Sequence, residues 1–380
     1  MCAETQTMTR GHARTAVSAV FALSGAMLGV WASRIPAIAD AYDLSHAQLG
    51  LVLLCLASGA VLAFPFAGRA MDRHGAARIT RVLLMSLLAS LMIIPVMPNA
   101  GFLAIGLFVF GGNIGAMDVA MNGWGAEVER SFDASMMSSF HAMFSVGAGL
   151  GAATGYVAAG VSVLVHFACV AVALGLAVWA VTRGHWVADA SKSDTAPLFA
   201  LPRGLLALVG LMALCSALGE GAMLDWSAIF LRDSLAAPER VAALGFTVFS
   251  IAMVSVRLVA DGLVTRFGAM FVARVSGVVA TLGALVMVAA GSVPVAMVGL
   301  ALLGAGYAVQ FPLAFSRAAN DPDVPPGRGL AAVATLGYGG ILFGPPAIGF
   351  LAELFGLQSA FWLLVVLSVA IIWLASALRQ

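Results

Sequence analysis

Apolar residues run through this chain in long blocks, and the charged positions fall between the blocks. Stretches free of Asp, Glu, Lys and Arg cover residues 15–33, 44–68, 82–117, 134–182, 204–219, 241–256, 275–316, 329–352 and 354–378. A membrane-spanning helix needs roughly 20 predominantly apolar residues. The runs 82–117, 134–182 and 275–316 are each long enough for two, and turn residues divide them at Pro95 to Asn99, Gly160 to Ser162 and Gly291 to Pro294. The run 204–219 continues through Glu220 to about Phe230, and 241–256 continues through Arg257. The pattern predicts an all-α membrane protein with twelve transmembrane helices.

Composition agrees. Hydrophobic residues make up 62% of the chain and charged residues 10%, against about 25% charged in soluble domains. A net charge of +1 and the lack of a long basic tract argue against nucleic acid as a partner. Cys2, Cys55, Cys169 and Cys215 show no metal spacing and read as packing residues. No metal or cofactor is expected. The first apolar run follows Arg10 and Arg14 without a convincing cleavage site, so it reads as the first span and not as a removable signal.

Arginines set the orientation. With the N-terminus inside, the inner segments hold Arg10, Arg69, Arg73, Arg78, Arg81, Arg130, Arg183, Arg203, Arg266, Arg274, Arg317 and others, whereas the outer segments hold Arg34, Arg232 and Arg240. That bias predicts cytoplasmic termini. The longest polar connection, residues 183–203, then becomes a cytoplasmic linker between six-helix halves at 1–182 and 204–380.

The halves repeat. Arg73-His74-Gly75 matches Arg266-Phe267-Gly268, Gly111 matches Gly304, and Gly147 and Gly151 match Gly340 and Gly344, all at an offset of 193 (266 minus 73). Trp31 and Gly50 match Trp226 and Gly245 at 195 (226 minus 31). Such a repeat implies two pseudo-symmetric six-helix bundles with a solute site near the bilayer midplane.

The segment GRAMDRHGAAR, Gly68 to Arg78, resembles the GxxxDRxGxR motif between the second and third spans of the major facilitator superfamily, with a degenerate second copy at Asp261, Arg266 and Gly268. Within that superfamily, GAMDVAMNGWGAEVER followed by SSFHAMFSVG is similar to the MosC/YbjJ-type bacterial branch, loosely akin to fucose:proton symporters. The resemblance implies the major facilitator fold, a bacterial inner-membrane location and a monomer that moves a sugar-like or polyol-like solute. It also implies a cytoplasmic latch: Asp72 faces the helix that starts near Gly329, and Arg73 or Arg78 pairs with Glu127 or Glu129.

Candidate chemistry concentrates between Gly111 and Gly155. Asp118 and Asn122 are four residues apart and share a helix face, with His141 in the following span. An intramembrane carboxylate is costly and points to function, so Asp118, His141 and Glu220 are the proton-coupling candidates. Trp31, Asn113, Asn122, Tyr307, Gln310 and Tyr338 are candidates for the solute cavity, and Arg34 with Asp225 is a candidate outer ion pair. The bland alternatives are a helix-packing hydrogen bond for Asp118 or His141, interface anchoring for the tryptophans, and ordinary packing for the aromatics.

The reading is a secondary active transporter working by alternating access, with protons and a small molecule as partners. A proton-driven exporter of amphipathic compounds is the rival. Drug antiporters of the superfamily usually carry an arginine in the fourth span and a Gly-Pro pair in the fifth. Residues 101–126 contain no arginine, and Ala152 stands where the proline would be. A membrane enzyme is disfavoured because no nucleophile, nucleotide or metal motif accompanies Asp118 and His141. A non-transporting sensor with a transporter fold would need a signalling extension. A cysteine introduced at Ser193 is expected to react with a membrane-impermeant thiol reagent only from the cytoplasmic side, and labelling of intact, correctly oriented cells from outside would overturn the topology.

Overall fold

A computed structural model describes residues 8–132, 136–184, 186, 203–324 and 326–379 of the chain, with a few side chains, including those of Asp72 and Asp261, outside the description. The helices are α1 (Arg10–Ala41), α2 (His46–His74), α3 (Ala76–Ile93), α4 (Ala100–Phe132), α5 (Met137–Val157), α6 (Val163–Val181), α7 (Leu205–Asp233), α8 (Glu239–Ala242), α9 (Gly245–Phe267), α10 (Ala269–Val288), α11 (Val293–Tyr307), α12 (Gln310–Ala319), α13 (Pro326–Phe355), α14 (Leu357–Ala360) and α15 (Trp362–Leu374). No strand occurs among the described residues. Helix is what a chain surrounded by hydrocarbon must adopt, because it satisfies each backbone amide within its own segment.

Eleven helical segments among the described residues are long and apolar enough to cross a membrane. α11 and α12 together make one of them, Val293–Ala318. The remaining expected span is α5. Its 21 residues reach about 31 Å, enough for the hydrocarbon core, but its glycines, serines and His141 dilute its apolarity. Elsewhere large apolar side chains point outward, among them Phe66 at 69%, Leu258 at 72% and Trp373 at 76% exposed. Water would not tolerate so many, whereas lipid does.

The chain divides into two compact units, Met1–Trp31 with Cys55–Ser193, and Ala32–Leu54 with Asp194–Gln380. The end of α1 and the start of α2 therefore group with the second unit. Their polar groups are engaged there: Arg34 with Glu239, Asp40 with Arg232, and His46 with Asp233.

Within the first unit, glycines let helix backbones touch. A Cβ on Gly25 would lie 2.0 Å from the carbonyl oxygen of Phe144, and one on Gly147 would lie 1.9 Å from that of Ala22. α1 and α5 thus come to backbone distance at these glycines, the close approach that small residues permit in membranes. The repeat is reproduced in detail. Gly111 presses on the carbonyl of Leu56 in the first unit and Gly304 on that of Phe249 in the second, at 1.9 and 2.1 Å for an added Cβ. Both contact partners stand 193 residues apart (304 minus 111, 249 minus 56). Gly75 and Gly268 carry the same positive φ, 83°, at the turns from α2 to α3 and from α9 to α10. Only glycine adopts that conformation without strain.

The repeat breaks within the fourth span of each half. α4 is continuous, whereas its counterpart is interrupted between Tyr307 and Gln310. Pro312 is the cause. It has no N–H for the carbonyl of Ala308, four residues earlier, and its ring crowds that carbonyl. Arg257 of α9 supplies the missing donor, its Nε lying 3.1 Å from the Ala308 oxygen.

Gly147→Leu is expected to lower the unfolding temperature of the detergent-purified protein, at a cost of about 1–3 kcal/mol or more for an overpacked core. Gly221→Ala, where nothing lies within 4 Å of the new Cβ, is expected to be neutral or stabilising. Equal unfolding temperatures for Gly147→Leu and the parent would refute the backbone contact between α1 and α5.

Candidate functional site

In the first unit, α4 and α5 bring together three of the residues singled out by sequence. Asn122 Nδ2 donates to the backbone oxygen of Asp118 at 2.8 Å and to Asp118 Oδ1 at 3.1 Å. Its other end, Oδ1, lies 3.1 Å from His141 Nε2. With the amide nitrogen committed to Asp118, the amide oxygen is left to face His141 Nε2. The edge of the His141 ring packs against Phe21 with centroids 5.2 Å apart. The result is a row of acid, amide and imidazole in which Asn122 links the two titratable groups. Histidine is the side chain that most readily exchanges a proton near neutral pH. Asn113 does not join the row, since its Nδ2 bonds back to Val109 O within α4 at 2.9 Å.

In the second unit, Glu220 of α7 faces Arg257 of α9, Oε2 to Nη2 at 3.7 Å. Sequence spacing gave no reason to connect them, and the role of Arg257 at the broken helix was not foreseen. The proline four residues after Ala308 was the available signal.

Several expectations are corrected. Tyr307 and Gln310 do not line a cavity, because both are fully buried inside the second unit. The Tyr307 hydroxyl and the Gln310 amide nitrogen each have an internal partner, as most desolvated groups do, while Gln310 Oε1 is buried without one among the described residues. Tyr307 Oη lies 2.9 Å from Ser368 Oγ, and Gln310 Nε2 donates to Ala273 O at 3.0 Å. Arg34 pairs with Glu239 at 3.1 Å, not with Asp225, which is 9% exposed on α7. The short helix α8 carries Glu239 to that position. Neither Glu127 nor Glu129 pairs with Arg73 or Arg78 among the described residues. Glu129 Oε1 instead accepts the amides of Met136 and Met137, the latter at 3.0 Å, and so caps α5. Glu127 accepts from Trp186 Nε1 at 3.1 Å.

Of the other candidates, Trp31 packs near Phe110 of α4 and Trp226 near His46 of α2. Trp31 and Trp226 are at most 1% exposed, each with a buried indole N–H that has no hydrogen-bond partner among the described residues. Tyr338 is half-buried on α13. Gly68 ends in open space near the C-terminus of α2, and Arg266 lies over the Phe267 ring. The side chains of Asp72 and Asp261, and thus their latch role, lie outside the described residues.

Sequence reading also missed a cavity of about 510 Å³ in the second unit, lined by Asp40, His46, Arg232, Asp233 and Glu353 among others. Arg232 reaches Asp40 at 2.7 Å and Pro36 O at 2.6 Å, and Glu353 accepts the Ala47 amide at the start of α2. These residues come from three distant stretches, so no local pattern announces them.

Comparison with known proteins gives this architecture its class. The family model described as Major Facilitator Superfamily matches residues 16–324. The uncharacterized transporter y4wD of Sinorhizobium fredii is 44% identical over 367 residues, 96% of this chain and 97% of its own. Membrane protein MosC of Rhizobium meliloti is 30% identical over 363 residues, 94% of this chain and 88% of its own. Among solved structures, a mutant form of the nucleoside transporter NupG shares the fold with a TM-score of 0.76 at 13% identity, covering 98% of this chain and 100% of that one. The chain belongs to the major facilitator superfamily, and it is a multi-pass membrane transporter of that type.

Tyr307→Phe separates brace from binding group. The variant is expected to lose about 0.5–2 kcal/mol of stability, the range for interhelical hydrogen bonds in membranes, while its apparent affinity for transported solute stays the same. Thermal unfolding and concentration-dependent uptake check this, and weakened solute affinity at unchanged stability would return Tyr307 to the cavity.

Proposed function

We propose that this transporter is a proton-coupled secondary carrier that moves a small polar solute, sugar-like or polyol-like, by alternating access. The observation that carries the reading is the row Asp118–Asn122–His141 on α4 and α5. Acidic and imidazole groups within spanning helices are costly to keep there and mark proton or substrate pathways. Here an amide that can both donate and accept joins them, so a change of protonation at one end alters the hydrogen bond offered to the other. Glycines on the same pair of helices, Gly115 in α4 and Gly147 and Gly151 in α5, allow neighbouring backbones to approach closely around the row.

The solute class follows from the resemblance to the MosC-type branch and from amide and charged groups that suit hydroxyls. The setting belongs to the same proposal: a monomer in a bacterial inner membrane, both termini in the cytoplasm, halves at 1–182 and 204–380 joined by 183–203, and a cytoplasmic latch at Gly68 to Arg78.

Asp118→Asn keeps the shape and holds the group neutral. It is expected to bind solute and exchange it across the membrane, to lose accumulation driven by a proton gradient, and to show residual transport insensitive to pH. The measurement is uptake and counterflow in proteoliposomes with and without an imposed pH gradient. Full gradient-driven accumulation by Asp118→Asn would remove the proton from this site.

A further inference from the structure

The ion pair in the second unit has an unusual construction. Glu220 and Arg257 stand near the middle of α7 and α9, where bilayer depth is greatest, yet their side chains are 36% and 21% exposed. Charge-assisted pairs ordinarily close to about 2.8 Å. Here Oε2 and Nη2 remain 3.7 Å apart, beyond hydrogen-bond reach.

Each partner has its own support. Arg257 is tied through Nε to the Ala308 carbonyl, the acceptor that Pro312 leaves without a helical donor. Glu220 follows Gly219, where an added Cβ would lie 2.3 Å from the Tyr307 ring, and Tyr307 is itself bonded to Ser368. Arg257 is thus anchored through Nε, and the Glu220 carboxylate stands beside its guanidinium at 3.7 Å. They lie next to a discontinuous helix, the feature that marks binding sites in many transporters.

We propose that Glu220 and Arg257 form a hydroxyl-recognition site for a neutral polyhydroxylated solute. One hydroxyl donates to the Glu220 carboxylate while its neighbour on the adjacent carbon accepts from the Arg257 guanidinium. The inference rests on the sugar-like or polyol-like reading above and gives Glu220 to the solute, leaving the proton to Asp118. Hydroxyls are both donors and acceptors, so a vicinal pair satisfies an acid and a base together. The ion pair is neutral overall, and a neutral solute leaves that balance intact. A cationic or anionic solute would strand one charge at membrane depth. Sites built to hydrogen-bond a hydroxyl strongly reject the analogue that lacks it.

The test uses purified full-length protein and direct binding measurements with D-glucose, D-galactose, myo-inositol and sorbitol, together with the charged glucuronate and glucosamine. Single-deoxy analogues of the tightest neutral binder probe the contact. Wild type is expected to bind neutral polyols and to lose about tenfold or more in affinity for one deoxy analogue. Glu220→Gln and Arg257→Lys are expected to weaken the parent polyol about tenfold or more and to erase that deoxygenation penalty.

A pair that only braces the fold would shift the unfolding temperature and leave the deoxygenation penalty intact, which overturns the site. Wild-type binding of glucuronate or glucosamine but of no neutral polyol overturns it as well. Binding of no probe at all refutes the polyol reading itself, whereas polyol binding unaffected by either variant refutes only the Glu220–Arg257 site. If Glu220→Gln does not fold, Arg257→Lys and the charge-balanced Glu220→Gln/Arg257→Gln decide the same question.

Discussion

In hydrocarbon a backbone amide has no water to fall back on, and it must be answered by the chain itself. That constraint accounts for the helical content and, more tellingly, for the exceptions to regular helix. Pro312 removes one hydrogen bond, and Arg257 is recruited from another helix to replace it. Gln310, just past the break, sends its amide to Ala273, and Tyr307, just before it, reaches Ser368. A single proline thus has several side-chain bonds arranged around it, from Arg257 Nε, the Gln310 amide nitrogen and the Tyr307 hydroxyl.

The two units answer the constraint differently, and the difference has functional weight. In the first, α4 runs unbroken past Asp118, so Asn122 can stand one turn away and join that acid to His141. In the second, the counterpart helix is interrupted, and the charged pair comes from α7 and α9 instead. The correspondence of the halves is visible in the matched glycine contacts and in the twin turns at Gly75 and Gly268. Chemistry has diverged where backbone packing has not. That is the expected order of change: a glycine against a carbonyl oxygen admits no other residue, whereas a side chain facing open space admits many.

The all-helical membrane class and the approximate placement of its spans were legible in the sequence because the membrane imposes a length and an apolarity that a one-dimensional pattern can display. So were the superfamily, carried by Gly68 to Arg78, the two-fold repeat, and the kinship of Asp118 with Asn122, since residues four apart on a helix are neighbours wherever the helix goes. Tertiary structure decided what depended on residues far apart in the chain. It alone placed His141 against Asn122, gave Arg34 to Glu239, turned Tyr307 and Gln310 into internal braces, and assembled the cavity around Asp40, His46 and Asp233. The physical reason is direction. Spacing along one helix specifies a shared face, but the rotation of that face toward a particular neighbour is set by packing, here by glycines that let helices meet at backbone distance.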